Sequence, residues 1–189
     1  MLAAFLLYAQ SPAEANTNEI VGPLVFKSLD DGHLWIYVDR FTYWAAPDAR
    51  SRAGWMIQMD GLYNPYKYLG YVHDESLLPI QTELNDAIYR SVNTLIAGNT
   101  NLWLMVTNER FAPPGEVGGL LFTDSGQAHT LQEHLISEGY ARVNRAEINP
   151  RIPSEYLNTW EKLEDEARRA SRGFWKTHPE AMKRYWDKE

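Results

Sequence analysis

Thr130-Leu131-Gln132-Glu133-His134-Leu135-Ile136-Ser137-Glu138-Gly139-Tyr140-Ala141, followed by Leu163-Glu164-Asp165-Glu166-Ala167-Arg168-Arg169-Ala170-Ser171-Arg172-Gly173-Phe174-Trp175, decides the fold. Thr130 to Glu133 is a capping-box pattern, in which the hydroxyl and the carboxylate satisfy amides that a helix start leaves open. Gly139 sits where that short helix must stop through a left-handed residue. A last strand, Ala141 to Asn144, is expected next. Ser154 then opens a long helix with Leu157, Trp160, Leu163, Ala167 and Ala170 on one face, closed by Gly173.

Working back toward the start, short β-branched and aromatic runs read as strands. They are Leu24 to Leu29, Leu34 to Val38 and Trp55 to Met59, separated by Asp30-Asp31-Gly32 and by a Pro/Gly-bearing loop. Thr82 to Ala97 has helical spacing at Leu84, Ile88 and Val92, with Gly98 just past its end. Asn101 to Thr107 and Gly119 to Thr123 are further strand candidates, joined by a loop containing Pro113-Pro114-Gly115. The fold class is therefore α+β. Its element order fits a five-stranded OB-type β-barrel with about three packed helices, an arrangement in which closure removes exposed strand edges.

At 189 residues the chain is expected to hold one domain. An apolar fraction of 44% supports a packed core, and the lack of any cysteine excludes disulfides, thiolate metal sites and cysteine nucleophiles. Leu2 to Ala9 is an apolar run too short to span a bilayer, and Ala13-Glu14-Ala15 follows with a small-x-small pattern. Residues 1–15 are read as a signal peptide and 16–20 as a flexible segment. The domain is placed at 21–176 and a C-terminal tail at 177–189. Export to the periplasm or exterior is the expected localisation, with no transmembrane segment once the leader is removed. The formal charge is -7, and residues 16–150 carry 9 Lys/Arg against 16 Asp/Glu. Tight binding to a phosphate backbone relies on a basic face, so nucleic acid is a poor candidate partner.

The stretch from Val21 to Trp175 resembles the staphylococcal-nuclease-like (thermonuclease) family, most specifically in its last third. There the turn Asp124-Ser125-Gly126, the capped helix ending Glu138-Gly139-Tyr140-Ala141 and the helix ending Gly173-Phe174-Trp175 come in the family's order. The resemblance implies phosphodiester hydrolysis with a calcium ion held by two Asp, a Glu that handles the attacking water, and two Arg on the phosphorane. Each such group stabilises developing charge.

Those positions are changed here. The family's Val-Arg-Leu-x-Gly-Ile-Asp-x-Pro-Glu is similar to Ile57-Gln58-Met59-Asp60-Gly61-Leu62-Tyr63-Asn64-Pro65-Tyr66. By that likeness Gln58 stands for the first Arg, Tyr63 for a metal-binding Asp and Tyr66 for the Glu. The Asp-Gly-Asp-Thr turn is similar to Asp31-Gly32-His33-Leu34, which puts His33 at the other ligand position. The Tyr-Gly-Arg-Gly entry is similar to Glu116-Val117-Gly118-Gly119, which puts Gly118 at the second Arg. No catalytic or metal-binding residue and no cofactor is therefore expected. Asp60 and Arg110 are read as solvated surface charges.

The expected function is a catalytically inactive member that serves as a binding or structural component of a protein assembly. Its contact face would be the former active-site groove, lined by His33, Gln58, Tyr63, Tyr66 and Arg110. The aromatic run Tyr63-Asn64-Pro65-Tyr66-Lys67-Tyr68, poor in basic charge, suits a protein surface. Two alternatives remain: a divergent phosphodiester hydrolase using Asp30, Asp31 or Asp60, and a single-strand nucleic-acid binder, which needs a basic aromatic groove.

Overall fold

The computed structural model describes residues 20–26, 42–46, 55–63, 90, 102–110, 116–124, 126, 128–145 and 148–183. The leader expected over residues 1–15, the strand expected over Leu34 to Val38, and the helix expected over Thr82 to Ala97 lie outside these residues, apart from Arg90, which is helical and exposed.

Seven strands and four helices are described: β1 (Ile20–Phe26), β2 (Thr42–Ala46), β3 (Trp55–Met59), β4 (Leu62–Tyr63), β5 (Leu102–Arg110), β6 (Glu116–Phe122), α1 (Leu131–Ser137), β7 (Arg142–Val143), α2 (Ser154–Arg169), α3 (Phe174–Thr177) and α4 (Pro179–Lys183). The α+β class holds. β1, β2, β3, β6 and β5 pair in cyclic order, β1 returning to β5. β3 and β6 run parallel, with Gln58 opposite Gly118 and Met59 opposite Gly119. β4 and β7 form a separate antiparallel pair.

β2 falls where the sequence suggested only a loop. Thr42, Tyr43 and Trp44 have the branched and aromatic side chains that suit a pleated ribbon, and they pair with Gln58, Ile57 and Met56. The Pro and Gly that marked a loop lie in the connection that follows. β5 is covered on both faces near its middle: Leu102, Leu104 and Val106 are buried and Met105 is only 7% exposed. Leu120, Leu121 and Phe122 of β6 are all fully buried, as expected for a strand covered on both faces.

The capping box of α1 is formed: Thr130 Oγ1 accepts from Glu133 N at 3.0 Å, and Thr130 N donates to Glu133 Oε2 at 3.1 Å. Gly139 follows with φ +76, and a Cβ there would fall 2.4 Å from the Arg172 carbonyl oxygen. Gly173, at φ +49, would place a Cβ 2.3 Å from the Glu138 carbonyl oxygen. The two glycines therefore do more than end helices: they let two backbone turns touch, tied by the bond from Phe174 N to Gly139 O at 3.0 Å.

The long helix does not end at Gly173. α2 stops at Arg169, and Ser171 adopts the positive φ of 50 that terminates it. Gly173 instead precedes α3. Trp160 and Ala167 are buried on the inner face of α2, Leu157 and Leu163 are half-buried, and Ala170, expected on that face, is exposed. Within the segment 177–189, read as a C-terminal tail, Pro179–Lys183 is helical and Met182 is fully buried. No helix among the described residues is long and apolar enough to cross a membrane.

Candidate functional site

The parallel pairing of β3 with β6 places residues 58 and 118 side by side. These are the two positions at which the resemblance puts arginines, so the register assumed from the sequence brings them together in space. Gly118 cannot contribute a cation. Gln58 lies on β3, with Thr42 opposite it on β2 and Gly118 opposite it on β6.

Asp60 follows β3 and is only 7% exposed, which corrects its reading as a solvated surface charge. Its amide donates to Gly119 O at 3.1 Å, which turns the side chain inward over β6. Oδ2 accepts from Thr107 Oγ1 at 2.5 Å and from Asn149 Nδ2 at 3.0 Å. Asn149 Nδ2 also reaches the Thr107 carbonyl at 3.0 Å, so the turn after β3, β5 and the loop before α2 meet at one carboxylate oxygen. A carboxylate removed from water needs such donors.

Asp60 and Gly118 share one volume. A Cβ built on Gly118 would lie 2.7 Å from both carboxylate oxygens of Asp60. An arginine at 118 therefore has no room while Asp60 keeps its present bonds.

Tyr63, on β4, is 6% exposed. It stands opposite Arg142 in the β4–β7 pair, with the Arg142 Cζ 5.5 Å from its ring centroid. Its ring is thus packed against a guanidinium inside the fold. The backbone of Arg110 pairs with Glu116 where β5 and β6 end, two rungs beyond the Asn108–Gly118 pair. His33 and Tyr66 lie outside the described residues. Among the described residues, no group of three or more His, Asp or Glu is placed to hold a metal ion.

A second polar cluster lies beside this one. Glu164 of α2, 2% exposed, accepts from Val143 N at 2.7 Å and from Arg145 Nη1 at 3.1 Å, with Arg142 Nε 3.7 Å from its Oε1. Arg142 is itself 1% exposed. Sequence reasoning passed over Thr107, Arg142, Asn149 and Glu164. One signal was available: Glu164 falls between Trp160 and Ala167 at helical spacing, so it belongs to the buried face.

A family model described as "Staphylococcal nuclease homologue" matches residues 83–177. The chain belongs to the staphylococcal nuclease homologue family. This agrees with the residues that carry the resemblance, since the match contains α1, α2 and α3 as well as Gly118. Gln58, Asp60 and Tyr63 precede the part that matches. No curated protein matches the chain. Within this nuclease-homologue domain, position 58 is a glutamine paired with the glycine at 118, and the Asp60 carboxylate lies against Gly118.

Proposed function

We infer that this nuclease-homologue domain does not cleave phosphodiesters and serves as a binding or structural component of a protein assembly. The single observation that carries the reading is the exchange at β3 and β6. The position of the second arginine is Gly118, and the space beside it is filled by the Asp60 carboxylate. A phosphorane gathers negative charge, and a carboxylate there opposes it where a guanidinium would stabilise it. Each missing donor of that kind typically removes about 3 to 4 kcal/mol from transition-state stabilisation.

The finer architecture belongs to the same proposal. Cyclic pairing of β1, β2, β3, β6 and β5 supports an OB-type barrel whose groove persists as a contact face. Export is part of the reading through the apolar run Leu2 to Ala9 and the Ala13-Glu14-Ala15 pattern. The test is hydrolysis of single-stranded DNA and RNA by the purified chain with millimolar calcium. No turnover above a buffer blank is expected, and calcium-dependent cleavage that purifies with the protein overturns the reading.

A divergent metal-dependent hydrolase is the second reading, favoured by one observation. Asp60 is an inward-facing carboxylate at the place where two strands meet. If it served a metal, Asp60→Asn would abolish cleavage and calcium affinity together while leaving the fold intact.

A further inference from the structure

α4 is five residues long, too short to hold a helix in water without support. Its shape therefore depends on where it docks. Met182 is fully buried, and its carbonyl accepts a hydrogen bond from Nη1 of Arg142. The same guanidinium lies against two rings, its Cζ 5.5 Å from the Tyr63 centroid and 5.8 Å from the Trp175 centroid. Tyr63 and Arg142 are direct partners in the β4–β7 pair. One side chain thus touches the C-terminal helix, the strand that carries Tyr63, and, through Glu164, α2.

The geometry points to α4 as a strap that controls the β4–β7 pair, which holds Tyr63 and follows directly on the turn at Asp60 and Gly61. Docking of Met182 supplies the acceptor that aims Arg142, and Arg142 in turn backs Tyr63. When α4 lifts, Arg142 loses that acceptor and the β4–β7 pair loosens with it. β4 and β7 have two residues each, so their own ladder resists little. β5 and β6, paired over a long register around the core, stay closed. Short, peripheral units of this kind open at lower free energy than the body of a domain. Events at the C-terminal end therefore reach the chain segment that runs from Asp60 to Tyr63, whether or not this domain cleaves phosphodiesters.

Native-state hydrogen exchange on the full chain, in a series of urea concentrations below unfolding, tests the strap. The amides to follow are Met182, which donates to His178 O, Val143, which donates to Glu164 Oε2, and Asn144, which donates to Gly61 O. They are expected to share one opening, separate from the β5 and β6 amides. Met182→Ala is expected to speed exchange at all three by about tenfold or more, because it empties a buried site, with the β5 and β6 amides still exchanging more slowly through their own opening. Met182→Leu, which keeps the buried volume, is expected to exchange at the wild-type rates. Faster exchange at Met182 with Val143 and Asn144 unmoved overturns the strap, as does a single opening shared by these amides with those of β5 and β6. Should Met182→Ala fail to fold, the urea series on the unmodified chain decides: separate openings for Met182 and Val143 overturn it.

Discussion

Asp60 and Gly118 make one feature out of two substitutions. Oδ2 of Asp60 already holds Thr107 and Asn149, and the missing side chain at 118 leaves room for it. Asp60→Ala is expected to cost about 1 to 3 kcal/mol, since both donors lose their acceptor. Gly118→Arg alone is expected to cost at least as much, because overpacking a closed site forces its neighbours apart. The double variant should be less unstable than the sum of the two, by roughly 0.5 to 3 kcal/mol, as read from urea midpoints. Additive losses would break the link between the two positions. His134, half-buried on α1, supplies a pH effect. Burial holds its pKa below the ordinary value, and the Glu138 carboxylate acts in the other direction with less effect. The folded state then binds fewer protons than the unfolded chain, so stability is full above about pH 6.5 and falls as pH drops through that value. His134→Gln should flatten that fall in urea titrations at pH 7.5 and pH 5.5; an unchanged fall would assign it to other groups.

At the scale of elements, α1 was legible from the residues because its capping box is local: Thr130 and Glu133 are three positions apart and satisfy each other. The end of α2 was not. Gly173 looked like its terminator, but Ser171 takes the positive φ, and Gly173 is needed for its close contact with Glu138. That requirement comes from a second turn far away in the chain. β2 was hidden for a related reason, since strand formation at Thr42–Ala46 is realised through pairing with β1 and β3. Glu164 shows how an element buries charge: it joins α2 to β7 through Val143 N, Arg142 and Arg145. Glu164→Gln is expected to destabilise by about 3 kcal/mol, because Arg142 would remain inside without its counter-charge. A loss below 1 kcal/mol in chemical denaturation would mean that Arg142 draws its compensation elsewhere.

For the whole molecule, the cyclic order of strands brings residue 58 beside residue 118 across sixty positions of chain, and that adjacency gives the changed residues a shared meaning. Binding of an ion to the folded state alone raises its melting temperature by mass action. For a groove with no metal site, 10 mM calcium is expected to leave the melting temperature unchanged beyond the effect of an equal concentration of magnesium. A calcium-specific rise of several degrees would instead support the hydrolase reading. The family was readable from the residues of its last third, where caps, glycines and the Gly173-Phe174-Trp175 ending are encoded locally, and so was the absence of arginines at 58 and 118. Tertiary structure alone turned Asp60 inward, set Tyr63 against Arg142 and seated Met182 in the core. Burial and pairing between distant residues are properties of packing, and no window of sequence contains both partners.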